Sequence, residues 1–124
     1  MKIKNIKFKA KQLNSGKWFE GDLVRLGNMV CIGGDHIKDG ITEVDPSTVC
    51  MFTGLKDCEG NEIWEGDIIS SPHFERVATV KWDDSLCGFK CSDVTGNINF
   101  CFTAIAHCSE WSIVGNKFDK KSSV

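Results

Sequence analysis

The sequence predicts an all-β or strongly β-dominated fold: a small half-open barrel of SH3-like type in the second half, with additional strands from the N-terminal half. Three observations predict it. Gly54, Gly60 and Gly66 divide residues 53–69 into short apolar runs at six-residue intervals. That spacing suits strands and tight turns and defeats a helix, where each interior glycine costs about 1 kcal/mol against alanine. Apolar and polar residues alternate with period two at both ends of the chain, as in Ile6-Lys7-Phe8-Lys9-Ala10 and Val77-Ala78-Thr79-Val80-Lys81-Trp82. The only clear helix signal is Asp45-Pro46-Ser47-Thr48, an N-cap and an N1 proline sufficient for a single turn.

In chain order, residues 1–11 set Lys2 and Lys4, then Lys7, Lys9 and Lys11, against Ile3, Ile6, Phe8 and Ala10. This reads as one strand with a wet cationic face and a slip at Asn5-Ile6 that a bulge would explain. Such a face is either a solvated or protected sheet edge, for which lysines are commonly used, or a surface for nucleic acid or an acidic partner. Residues 12–17 form a turn into Trp18-Phe19-Glu20-Gly21-Asp22-Leu23-Val24, which echoes Ile63-Trp64-Glu65-Gly66-Asp67-Ile68-Ile69 in type at every position. The echo suggests a repeated corner or two related β substructures, or else convergent turn chemistry over seven positions. Gly27-Asn28 closes a hairpin between residues 23–26 and 29–32, with Asn28 suited to positive φ. Residues 33–40 read as loop, and Gly33-Gly34 is no phosphate cradle because neither a Lys-Ser/Thr pair nor a helix follows. A short strand at 41–44 precedes the capped turn.

Asp57-Cys58-Glu59-Gly60 carries the pattern of a type I turn. At Glu65-Gly66-Asp67 the glycine bends the chain and the aspartate bonds a nearby backbone amide, before Ile68-Ile69 enters a strand. Residues 70–76 read as exposed loop, 77–82 as strand, 83–85 as turn, 86–94 as strand and 95–97 as turn. Residues 100–106 are a buried strand or a short helix, 111–114 a final strand and 117–124 a fraying polar tail.

At residues 53–69 the chain resembles a known family. Thr-Gly-Leu-x-Asp-x-x-Gly-x-x-Ile-aromatic-Glu-Gly-Asp-Ile-Ile, preceded by Val44-Asp45-Pro46-Ser47-Thr48-Val49, is similar to the signature of the YopX family, small proteins encoded by bacteriophages and prophages. Residues 6–10 resemble that family's opening strand and Ile113-Val114-Gly115-Asn116 its closing motif. Cys50 and Met51 depart from an expected glycine and glutamine, and Phe52 and Trp64 from tyrosine. The resemblance makes Gly54, Gly60, Gly66 and Asp67 the fold signature. It implies a bacterial cytoplasmic setting and supplies no reaction, substrate or catalytic residue.

Composition sets outer limits. The 124 residues suit one compact domain, 1–124, with substructures at 1–45 and 46–116. Apolar and charged fractions of 41% and 26% exclude a disordered or fibrous chain. No apolar run approaches the roughly 18 residues of a membrane span, and no signal-peptide core follows the first lysines. A net charge of −2 argues against nucleic-acid binding driven by overall charge. The seven cysteines, Cys31, Cys50, Cys58, Cys87, Cys91, Cys101 and Cys108, are odd in number and lack a secretory context, which points to free thiols. Zinc is the alternative, through Cys87, Cys91, Cys101, His107 and Cys108, but no Cys-x-x-Cys knuckle occurs. No metal or cofactor is expected.

No catalytic residue is predicted either. Glu65 with Asp67, and Asp83 with Asp84, sit where turns demand acids, and His36, His73 and His107 have no motif around them. Two functional readings follow. The favoured one is a non-catalytic module that binds protein, including its own copies as a homo-oligomer, through aromatic surfaces around Trp18, Trp64 and Trp82. The other is a nucleic-acid module in which Lys2, Lys4, Lys7 and Lys9, with Lys81 and Lys90, flank stacking residues such as Phe74 or Trp82.

Overall fold

The computed structural model describes residues 2–72, 74–93, 99–101 and 111–119. Among these, eleven strands follow in order: β1 Phe8–Lys11, β2 Trp18–Leu26, β3 Met29–Gly33, β4 Ile41–Glu43, β5 Cys50–Lys56, β6 Glu62–Trp64, β7 Asp67–Ser71, β8 Phe74–Asp83, β9 Gly88–Asp93, β10 Asn99–Cys101 and β11 Ser112–Asn116. Single 3-10 turns occur at Ile3–Asn5, Lys38–Gly40 and Pro46–Thr48. The expected β-dominated class is what the chain adopts. No helix among the described residues is long and apolar enough to cross a membrane. The chain groups into two compact units, Met1–Phe52 and Thr53–Val124.

In the first unit the antiparallel order is β4-β3-β2-β1, followed by the opening of β5, where Phe8 pairs with Met51 and Lys9 with Cys50. Period-two alternation sends Ala10 inward to a core with Ile32, Ile37 and Val44, against which Phe8, Phe19 and Leu23 pack. The capped turn locks this sheet. Asp45 accepts from the Ser47 amide at 3.0 Å, while Thr48 Oγ1 donates to the Asp45 carbonyl and accepts from the Lys11 amide on β1. Gly21 is required by close approach, since a Cβ there would lie on the Gly33 carbonyl oxygen of β3.

In the second unit a five-stranded antiparallel sheet runs β10-β9-β8-β7-β11, and the rest of β5 lies beside β6. Its core is Ile63, Ile69, Ala78, Val80, Cys91 and Trp111. Two carboxylates hold turns to the final strand. Asp57 accepts from the amides of Glu59, Asn61 and, across 56 residues of chain, Ile113 at 3.1 Å. Buried Asp67 accepts from the Trp64 amide at 2.7 Å and the Asn116 side-chain amide at 3.0 Å. Between them Gly66 has φ of +90°, and its amide donates to the Val80 carbonyl.

Several expectations are corrected. The strand over residues 1–11 is instead a 3-10 turn at Ile3–Asn5, closed by Asn5 and Ile6 amides on the Lys2 and Ile3 carbonyls, and a strand only from Phe8. Lys2 and Lys4 therefore lie off the strand. At the β2–β3 hairpin Gly27, not Asn28, takes positive φ, at +60°. The loop expected at 70–76 is mostly strand, because β7 runs to buried Ser71 and β8 begins at Phe74. The echoed motif is no repeated corner: Gly21 sits inside an unbroken nine-residue strand, whereas Gly66 makes a turn. Thr95, Gly96 and Asn97, residues 102–106 and most of the tail lie outside the described residues.

Candidate functional site

With Phe8 and Ala10 turned to the core, β1 presents Lys9 and Lys11 on its other face, and Lys7 immediately precedes it. Antiparallel register sets Lys11 opposite Trp18 and Lys9 opposite Glu20. The ammonium groups of Lys9 and Lys11 lie 4.8 and 5.3 Å from the Trp18 ring centroid, and that of Lys7 lies 4.8 Å over Phe52. Lys7 also reaches Glu20 Oε1 at 3.2 Å. Each cation–π contact is worth about 0.5–1 kcal/mol at such exposure, and an exposed ion pair about as little. Their consequence is electrostatic: the cations are placed on π faces and on a carboxylate in the middle of the row.

Beside this face an open cavity of about 700 Å³ lies between the N-terminal turn and β2. Its apolar wall is Ile3, Ile6, Trp18 and Phe19, and its rim carries Lys4, Lys7, Glu20, Asp22 and His36. Ile3 is 85% and Ile6 43% exposed, so apolar surface is left uncovered here. The β2–β3 ladder ends at Asp22 and Gly33. Beyond it His36 folds over Gly34 and its Nε2 donates to the Glu20 carbonyl at 2.6 Å, continuing the ladder with a side chain. Lys4 and Asp22, of opposite sign, have no ion-pair partner among the described residues.

The second unit offers a different feature, the tip of the β8–β9 hairpin. Trp82 is 43% and Leu86 63% exposed. Trp82 pairs across the strands with Phe89, edge to face at 5.2 Å, and its Nε1 donates to Asp84 Oδ1 at 2.7 Å. Asp83 organises the turn by accepting from the Ser85 and Leu86 amides. A hydrogen bond from the Lys90 ammonium at 2.8 Å, then one from the Ser85 hydroxyl, holds the Asp83 carboxyl well below the usual carboxylate range.

Of the residues singled out from sequence, Lys4, Lys7 and Trp18 come together at the cavity, Lys9 lies beside them on Trp18, and Lys2 is not in its lining. Trp64 is corrected: at 5% exposure it is a core residue and no part of a surface. Trp82, in the second unit, is exposed. Asp67 and Asp83 hold turns. Cys91 is buried in the core while Cys87 occupies the exposed hairpin turn. His73, His107 and Cys108, and the side chains of Phe74 and Cys101, lie outside the described residues. Among the described residues no group of three His, Cys, Asp or Glu is placed to hold a metal. Sequence reading missed Glu20, Asp22 and His36. For the first two a signal existed, since Trp18, Glu20 and Asp22 alternate on one face of β2. His36 had none.

Comparison with curated protein sequences finds no match. Residues 7–121, nearly the whole of the two units, match the family model described as YopX protein, and the chain accordingly belongs to the YopX family.

Proposed function

We propose that this chain is a protein-interaction module, an accessory protein of phage or prophage setting working in the bacterial cytoplasm. Its first unit takes a protein segment in the cavity beside β1. The second unit, with its five-stranded order, is read as the SH3-like half-open barrel. One observation carries the reading: the lysine row is answered locally by Trp18, Phe52 and Glu20, next to uncovered Ile3 and Ile6. A groove that tracks phosphates needs cations directed outward and bare aromatic faces for bases. Here the Trp18 face is covered and a carboxylate interrupts the row. A concave apolar wall with a few charges of both signs suits a peptide chain instead.

Two measurements test this. Size-exclusion chromatography with light scattering is run on reduced protein with mixed DNA and RNA oligonucleotides at low and moderate salt. The elution position should ignore them; a shift that reverses with salt would transfer the function to nucleic acid. Random peptides displayed on phage should be enriched by the wild-type chain and not by Ile6→Asp. Equal enrichment by both chains would remove the cavity from the function.

A further inference from the structure

We infer that the segment taken by the first unit enters as an added strand along the open edge of β2, with an acidic residue opposite Arg25; the assignment deepens the interaction reading above and rests on it. The edge follows from the parity of the ladder. A two-residue turn makes Leu26 and Met29 a hydrogen-bonded pair, so Leu26, Val24 and Asp22 turn their backbone groups to β3. The Glu20 carbonyl points to that side too, where His36 bonds it. Leu23 and Arg25 turn theirs the other way, towards the line of β1. Yet the β1–β2 ladder stops at Phe8 and Gly21. The Lys7 carbonyl accepts from the Phe52 amide of β5, and the Ile6 amide donates to the Ile3 carbonyl. Two amides and two carbonyls of β2 therefore meet no backbone partner among the described residues, on a stretch that starts one residue beyond Asp22 of the cavity.

Charge explains why the chain itself leaves this edge open. Continued in register, residues 3–6 would set Ile6 opposite Leu23 and Lys4 opposite Arg25, a like-charge pair. A second copy meets the same obstacle. A two-fold pairing of β2 with β2 that keeps the hairpin tip clear of Lys7 and Phe8 sets one Arg25 directly opposite the other. What fits is a different strand carrying a carboxylate at that place.

Arg25 is exposed, shares a face with Leu23 and has no ion-pair partner among the described residues. An unanswered charge on a sheet edge turns away strands that do not match it. Val24, on the other face, and Leu23 call for apolar neighbours. An antiparallel strand that meets Arg25, Val24 and Leu23 in that order therefore reads acidic, apolar, apolar. It must leave the ladder at the position of Lys7, where Ile6 lines the cavity. Main-chain bonds give the affinity and Arg25 the selection. With at most four such bonds and few side chains, the contact is a weak one.

The test is titration of the reduced, isotope-labelled full chain with a short acetylated and amidated peptide carrying Val-Glu-Val-Ile at its centre, to about 1 mM, followed by amide spectra. The Leu23 and Arg25 amides should shift, and their hydrogen exchange, fast in the free chain, should slow. Val24 and Leu26 amides, already bonded to β3, should keep their rates. A peptide with lysine in place of the glutamate should bind about tenfold more weakly, and Arg25→Glu, an exposed replacement, should reverse that order. Methylating the glutamate amide, which donates to the Arg25 carbonyl, should abolish binding; methylating the next amide, which points away, should not. Shifts that bypass Leu23 and Arg25, equal binding of the acidic and basic peptides, or equal loss on either methylation would each overturn the assignment. Leu23 and Arg25 amides that slow with concentration in the peptide-free chain would give the edge to a second copy and overturn it as well. Random peptides still enriched through Ile6, with no change at Leu23 and Arg25, would remove the added strand and leave the interaction reading standing. No enrichment and no shift would remove both.

Discussion

Replacing Asp57 tests the account of how the second unit is closed. The carboxylate is 9% exposed and accepts from three backbone amides. In Asp57→Ala the Glu59 and Asn61 amides, on an exposed turn, find water, and each loss costs about 0.5 kcal/mol. The Ile113 amide on half-buried β11 is left with the larger penalty of about 1–3 kcal/mol for an orphaned donor. The sum is about 2–4 kcal/mol, or a fall of about 6–20 °C in Tm for a chain of this size. Asp57→Asn keeps an oxygen for the two turn amides but sets its own NH2 against the Ile113 amide, so it should lose the Ile113 share alone, about 1–3 kcal/mol. Acid gives the second reading. Burial pushes the Asp57 carboxyl up, but hydrogen bonds from the Asn61, Ile113 and Glu59 amides outweigh it, and the group sits below its ordinary value. With a depressed folded pKa, the unfolded chain binds the proton first. The stabilisation is therefore present above the unfolded value of about 4 and fades as pH falls through the folded one. Thermal melts followed by tryptophan fluorescence at pH 7 and between pH 5 and 3 measure both effects. The wild-type advantage over Asp57→Asn should shrink across the acid range. Two variants within about 0.5 kcal/mol of wild type, the scatter of ordinary surface changes, or an advantage that acid does not touch, would mean that this carboxylate does not hold the turn to β11.

Other outcomes follow from the same packing. Gly21→Ala should cost about 1–3 kcal/mol in urea titrations, because its methyl must displace the Gly33 carbonyl and also crowds the Ile32 side chain. Gly66→Ala should cost a similar amount for another reason, a φ of +90° together with Phe118 Cε2 at 3.3 Å from the added Cβ. Trp64→Ala should lose about 3–5 kcal/mol as a core truncation, while Trp82→Ala loses the edge-to-face contact with Phe89, about 0.5–1.5 kcal/mol, and an exposed hydrogen bond to Asp84 that water replaces at little cost. Equal midpoints for these two would contradict the burial assigned to them. His36→Ala should speed amide hydrogen exchange in residues 34–40, whose link to the Glu20 carbonyl it removes, and leave exchange in β7 and β8 unchanged.

The parts of this fold that sequence displays are those decided by one residue's own chemistry. Asp45 before proline caps a turn, Asp57 gathers the amides that follow it, and Gly66 supplies a φ that other residues avoid. What it conceals is decided by a distant neighbour. Lys2, Ile3 and Lys4 alternate as well as any strand, yet no strand among the described residues pairs with them, and backbone amides close locally into a turn with Ile3 exposed. The two aromatic-Glu-Gly-Asp motifs diverge for the same reason. Gly21 is needed for what lies across the sheet, the Gly33 carbonyl, and Gly66 for its own dihedral angle. Identical letters serve two unrelated constraints.

The same distinction governs the surface. Period-two lysines announce a cationic face, but the charge such a face shows to a partner depends on what the next strand sets opposite it. Here β2 answers with Trp18 and Glu20, in register with Lys11 and Lys9. An isolated strand would bind phosphate through its lysines; a strand whose lysines rest on an indole and a carboxylate must first give up those contacts. Several contacts of about 0.5–1 kcal/mol are small singly, yet together they rival what one phosphate contact returns at moderate salt. The uncovered Ile3 and Ile6 have no such competing attachment. Under the proposed function, a partner that buries them gains apolar area at the end of the cavity away from Lys9 and Lys11.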